Sequence, residues 1–474
     1  MRQFKVLATA FAAALLVTAC GGGGDGDQSP VVKYTKVVSF GDSLSDAGTY
    51  NVGPIKASGG GMFTVNGIAS AIGLDPVPSY TWSQLVSAAA IGSTSCAARV
   101  GGFGVAETKN PGAPAGGCWN YAQGGARVAD PKGVGNPVGV GFTAGPLTEP
   151  MVTQIANYLV DGGSFTGNEL ITVLGGANDL FGQTDKLKAD ANSAGGAALA
   201  TSLVTQLVAG APAANQLAAQ AFVGGAIQTE ALKATATPTS IITAAVTAAA
   251  THAGMNAYTN TAVANAATIG QTAGAAAITA GNNYAATTGA VNAMTGMAVA
   301  ASTLANSVKS MITSGAKHVV VVNIPDVSQT PMATGTIVRN ADGSVKDNSQ
   351  QQLVLALTSK FNTTLQTALE ASPGVSIPGV VFVDAFAENQ RQLANPAHYA
   401  LSNVKDVACN LALPANVLAT AGKADGSSLV CNPGNLIAGD TSRYLFADNV
   451  HPTPYGHKLL AQYVTKALVI AGWL

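Results

Sequence analysis

Charge is what this 474-residue chain has least of: only 10% of its residues are Asp, Glu, Lys or Arg, against about 25% in an ordinary soluble domain. The 23 basic and 24 acidic residues leave a net charge of −1 with no basic block. A nucleic-acid binder would carry such a block, so that class is set aside. Several motifs are also missing. There is no C-x-x-C or H-x-x-x-H spacing to hold zinc, no H-E-x-x-H, no G-x-S-x-G elbow and no G-x-x-x-x-G-K-[ST] phosphate loop. What is present in quantity is apolar: 47% hydrophobic residues, enough to exclude disorder over most of the length.

The amino terminus reads as an export signal. Arg2 and Lys5 open it, Val6 to Val17 form an apolar run too short to span a bilayer comfortably, and Val17-Thr18-Ala19-Cys20 follows. A small residue before cysteine resembles the lipobox of bacterial lipoproteins, which implies residues 1–19 as the cleaved signal and Cys20 as the lipid-anchor cysteine on an outer membrane. The plainer alternative is an ordinary signal cleaved nearby, giving a periplasmic or secreted chain. Residues 20–36, with Gly21 to Gly24 and Asp25-Gly26-Asp27, read as a flexible tether. The other four cysteines, Cys96, Cys118, Cys409 and Cys431, are even in number, as disulfides in an exported chain require. Three connectivities are possible; both local pairs share a separation of 22 residues, so Cys96 with Cys118 and Cys409 with Cys431 is the simplest.

Four apolar, β-branched runs punctuate the rest: 36–40, 170–174, 318–324 and 380–384. They read as parallel strands buried on both faces, alternating with helical stretches such as 349–370 and 457–470, and they predict an α/β domain over 37–474. Between the second and third runs, residues 191–305 hold just two charges, Glu230 and Lys233, among Ala, Thr, Gly, Asn and Val. Without 18 consecutive apolar residues this is no membrane span, and its alanines predict a helical insertion over 189–305. Its role is either a cap packed on itself or an acyl-binding wall or lid of a substrate cleft.

Chemistry points first to Ser43. It follows the first predicted strand on a turn opened by Gly41, at the carboxyl end of the sheet, where α/β folds keep their sites. A helix starting there would aim free N–H groups at an anion. A serine needs a base, and of the five histidines His451 stands out, because Asp448 three residues earlier could orient its ring; alternatively, Asp448 caps the following helix. Acyl transfer also needs oxyanion donors. Asn178, past the second strand, offers an amide; the glycine pair ending Asn120-Tyr121-Ala122-Gln123-Gly124-Gly125 offers a backbone N–H; Ser43 offers its own.

Gly41-Asp42-Ser43-Leu44, Asn120-Tyr121-Ala122-Gln123-Gly124-Gly125-Ala126, Gly175-Gly176-Ala177-Asn178-Asp179 and Asp448-Asn449-Val450-His451 stand in the order of the four blocks of the GDSL, or SGNH, hydrolases, and the chain resembles that family over about 37–188 and 306–474. The resemblance implies a three-layer α/β/α flavodoxin-like fold interrupted by the insertion, and hydrolysis of esters without metal or organic cofactor. By position it implies Ser43 as nucleophile, His451 as base, Asp448 as its partner, and the Ser43 amide, the Gly125 amide and the Asn178 side chain as the oxyanion hole, with Gly124 one residue away from the Gly125 assignment. The substrate is expected to be an ester with an acyl chain. An acetylated polysaccharide or a phospholipid is the alternative within enzymes, and a non-catalytic surface-binding lipoprotein the alternative outside them.

Overall fold

The structure, a computed structural model, describes residues 32–68, 77–142, 144–252, 262–410 and 427–474. Strands β1 (Lys36–Gly41), β2 (Glu169–Leu174), β3 (Val319–Val322) and β4 (Val380–Val383) form one parallel sheet in that order, within two residues of the predicted runs. The third run stops early. Asn323 turns its side chain to Asp384 and to the Phe386 amide, and Pro325 has no N–H for a ladder. Residues 119–121 lie along the free edge of β1: the Ser39 N–H donates to Trp119 O (3.0 Å) and the Tyr121 N–H to Ser39 O (2.8 Å). With that edge counted, the spatial order is 2-1-3-4-5, a doubly wound sheet whose switch point falls between β1 and β2.

The described helices are, in chain order, α1 (Trp82–Ile91), α2 (Met151–Val160), α3 (Ala177–Val208), α4 (Gln216–Ala231), α5 (Pro238–Thr251), α6 (Ala266–Tyr284), α7 (Ala290–Thr313), α8 (Ser349–Leu369), α9 (Ala385–Ala394) and α10 (Pro454–Ile470), besides shorter turns. Alternation along the strands separates two cores. Val38, Phe40, Ile171, Val173, Val319 and Val321 pack under α2, α7 and α8. Val37, Leu170, Leu174, Val320, Val322 and Val383 pack under α1 and α10. Helices therefore cover both faces, which makes three layers.

The Ala-rich segment is helical. α3 runs unbroken across position 189, and beyond it Leu199, Leu203, Leu207, Val223, Ile227 and Ile269 build a core separate from that of the sheet. α6 returns antiparallel against α3. A Cβ on Gly195 would stand 3.0 Å from Ala277 O and one on Gly281 3.1 Å from Ala191 O, so the two backbones approach as closely as small residues permit. No described helix is long and apolar enough to cross a membrane.

Candidate active site

β1 ends where it nearly touches β2: a side chain on Gly41 would place Cβ 2.4 Å from Leu174 O. Gln154 of α2 holds that end from below, accepting the Gly41 N–H and donating to the Gly41 carbonyl, both at 2.8 Å. The chain then turns without starting a helix at Ser43, so the condition for helix N–H groups aimed at an anion is not met. The Asp42 carboxylate takes the Leu44 N–H (3.1 Å) and the Asp42 carbonyl takes that of Ser45 (3.0 Å), a side-chain turn that competes with helical bonding. The Ser43 amide is left as a turn N–H, with no helix dipole behind it.

This turn meets a loop from the far end of the chain. Strands β5 (Asn403–Val407) and β6 (Tyr444–Phe446) pair beside the sheet, and β6 leads into a tight loop closed by the Ala447 N–H on His451 O (2.8 Å). His451 Nδ1 stands 2.7 Å and 3.0 Å from the two Asp448 oxygens, and its Nε2 stands 2.8 Å from Ser43 Oγ. A nitrogen between two carboxylate oxygens carries the proton, so Nε2 is left to accept from the serine. Asp448 is 2% exposed. Burial pushes its carboxyl up, but the His451 ring and bonds from Ser428 and the Val450 amide outweigh burial and hold it at about 2. The helix-cap alternative for Asp448 fails. Pro454 begins α10, and it is the Thr453 hydroxyl that accepts the Gly456 N–H.

The three expected donors gather at the same place: Ser43, Gly125 and Asn178 line one cleft. Asn178 is the second residue of α3, with one amide hydrogen on Ala126 O (2.8 Å), leaving the other to donate. The choice between the two glycines has a structural reason. The Gly124 N–H is taken by the Asp46 carboxylate (3.0 Å), whereas no protein group among the described residues takes the N–H of Gly125 or of Ser43. Gly125 holds φ +82°, a left-handed conformation that glycine tolerates best.

Asp46 escaped the reading of the motif. Its Oδ1 accepts the Gly48 and Thr49 N–H groups, a local turn visible in Asp-x-Gly-Thr, but the Gly124 contact lies 78 residues away and leaves no local trace. Burial raises its carboxyl to about 6 in spite of those bonds. Asn120 anchors the same loop, donating its amide to Ser45 O and Ser83 Oγ. Phe63 packs its ring 4.9 Å from that of His451 and lies so close to Gly124 that a Cβ there would be 2.1 Å away. His457 is fully buried behind the site, accepting the Trp82 N–H at 3.3 Å, and burial lowers it to about 3.

Cys96 is bonded to Cys118 and Cys409 to Cys431, the local pairing expected. The second bridge serves the site: Cys431 ends the short turn Ser428–Val430, whose first N–H donates to Asp448, and Asn66 binds the carbonyls of Ser428 and Cys431. Cys20 lies outside the described residues, as do residues 1–19. Among the described residues no group of three or more His, Cys, Asp or Glu could hold a metal ion.

The cleft measures about 640 Å³. Its apolar lining includes Phe63, Phe103 and Leu429, from one packed cluster, and Phe181, Met332 and Val354, from another. None of its lining residues comes from 189–305, so among the described residues the acyl-binding wall imagined for the insertion is absent; the wall from α3 ends at Asp185, in its first turns.

A family model for GDSL-like lipases and acylhydrolases matches residues 239–464, just under half of the chain. That span holds β3, β4, Asp448 and His451, and leaves Ser43, Gly125 and Asn178 outside it. An uncharacterized protein in the trpE-trpG intergenic region of Pseudomonas putida is 29% identical over 183 residues, 38% of this chain; the chain spans 26% of that relative's length. The family match supports an ester-cleaving hydrolase in general.

Proposed function

We propose that this chain is an exported serine ester hydrolase of the GDSL/SGNH kind, with a flavodoxin-like catalytic domain, that cleaves carboxylic esters through an acyl-enzyme on Ser43. The observation that carries it is the hydrogen-bonded chain from Ser43 Oγ through His451 to Asp448. The family match over 239–464 and the 2-1-3-4-5 sheet support it.

Ser43 Oγ attacks the ester carbonyl carbon as His451 Nε2 takes its proton. Asp448, staying ionised, steadies the imidazolium. Negative charge forming on the carbonyl oxygen meets the N–H groups of Ser43 and Gly125 and the Asn178 amide, each donor worth roughly 3 kcal/mol of barrier. The alcohol leaves with the proton from His451. Water, activated by the same ring, then releases the acid and restores the serine. The apolar lining of the cleft suits an acyl chain. Fluorophosphonate labelling of the wild type and its loss in Ser43→Ala, together with loss of p-nitrophenyl ester turnover in a soluble variant, is the expected result; substantial residual turnover would refute the assignment.

The lipobox-like Val17-Thr18-Ala19-Cys20 supports export with lipid attached at Cys20, and so an outer-membrane position. Metabolic labelling with a fatty acid, lost in Cys20→Ser, tests this, and a mature protein without lipid would refute it.

A further inference from the structure

Five carboxylates line the cleft, those of Asp42, Asp185, Asp326, Glu388 and Asp448, and among the described residues no lysine or arginine does. Asp448 is matched by His451, and Glu388 is partly matched by Arg391 at 2.9 Å. Among the described residues, Asp326, 2% exposed, is held by neutral donors only: the Ser328 amide (3.1 Å) and hydroxyl on one oxygen, and the Gln390 amide (3.1 Å) on the other. Asp42, 1% exposed and next to the nucleophile, has an Oδ2 with no hydrogen-bond partner among the described residues, and burial raises its carboxyl to about 7, so it adds only part of a charge and the repulsion rests on the others. We propose, resting on the ester-hydrolase reading above, that the cleft filters substrates by charge: it takes esters that are uncharged or positively charged and rejects those bearing negative charge, with Asp326 and Glu388 as specificity-determining residues.

The physical reason lies in what an anion would meet. Entering the cleft, it gives up water and finds no cation to replace it. It also faces like charges across walls of low polarity, where screening is weak and a concave surface concentrates the field. A neutral ester avoids this cost, and a cationic one is drawn in. Selectivity here comes from a repulsive element and needs no tailored pocket. Lipids with anionic headgroups fall on the rejected side.

The choline, neohexyl and sulfopropyl esters of butyric acid present similar size with positive, zero and negative charge. Acid release from each is followed by titration, at low and high salt. The expected kcat/KM on the sulfopropyl ester is lower than on the neohexyl ester by about tenfold or more, with the gap narrowing at high salt. Asp326→Asn raises the sulfopropyl-to-neohexyl ratio several-fold, and Glu388→Gln, at a site less deeply tied into the fold, moves it the same way. Equal rates on the charged and neutral esters, or a ratio indifferent to salt and to both soluble variants, would overturn the filter. No turnover of any of the three, with no fluorophosphonate labelling of Ser43, would instead remove the hydrolase reading and the filter with it.

Discussion

Asp46 Oδ2 accepts the Gly124 amide at 3.0 Å, and this bond, beside that from Asn120 to Ser45 O, ties the turn bearing Ser43 to the loop bearing the Gly125 donor. In Asp46→Asn the amide can still accept the Gly48 and Thr49 N–H groups, but it turns an NH₂ toward the Gly124 N–H, donor against donor. The Gly125 donor then shifts relative to Ser43. A fall in kcat of roughly ten- to a hundredfold is expected with little change in KM, since an oxyanion donor acts on the transition state. Steady-state kinetics on a p-nitrophenyl ester checks it, and an unchanged kcat would separate Asp46 from the oxyanion site.

His457 gives a pH dependence of known sign. Its folded-state value, about 3, lies below the ordinary 6.5 because burial disfavours the charged ring. Between those values the unfolded chain binds the proton and the folded one does not, so the stability this group contributes is full above about 6.5 and is lost as pH falls. From pH about 7 to about 5 the loss is about 2 kcal/mol. Asp42, Asp46 and Asp179, raised to about 7, 6 and 6, act in the opposite sense, favouring the fold as pH falls. Comparison within one variant isolates the histidine: chemical denaturation of His457→Gln should show stability at pH about 5, relative to pH about 7, higher by about 2 kcal/mol than in the wild type. A pH profile parallel to that of the wild type would contradict this.

The two disulfides close loops of equal sequence separation, 22 residues, and each is expected to add roughly 3 kcal/mol of stability. Their effects on catalysis should differ. Only Cys409–Cys431 pins the turn whose Ser428 amide supports Asp448. The double variant Cys409→Ser, Cys431→Ser should lose kcat by about tenfold more than Cys96→Ser, Cys118→Ser, measured below the melting temperature of both. Equal losses would mean that the bridge acts on stability alone.

The helical insertion can be shortened where α3 and α6 touch. Gly195 meets Ala277, so joining Gly196 to Ala276 through a short glycine-rich turn removes the second hydrophobic core whole and leaves the cleft lining intact. The expected product is folded and keeps its ester chain-length preference, with kcat/KM within a few-fold of the wild type. A shift of that preference toward shorter acids would restore the insertion as part of the acyl site.

The parts of this protein that its sequence determined are those made by neighbours in the chain. The four buried strands show as runs of Val, Ile and Leu because a parallel sheet covered on both faces needs apolar residues at every position, and Asp448 and His451 show as a pair because three residues span one turn. The local disulfides and the helical character of an Ala-rich segment are likewise short-range matters. Tertiary structure decided what depends on distant parts meeting. It made Gly125 rather than Gly124 the amide left open, through a carboxylate 78 residues away. It turned the Ser43 loop away from a helix, and it took the scarcely charged segment past the cleft to pack on itself. It also brought carboxylates from five separate regions around one cavity, whose lining among the described residues holds no Lys or Arg. Periodicity reports which face of an element is buried; it carries no information about which far-off group will occupy the other side of a hydrogen bond.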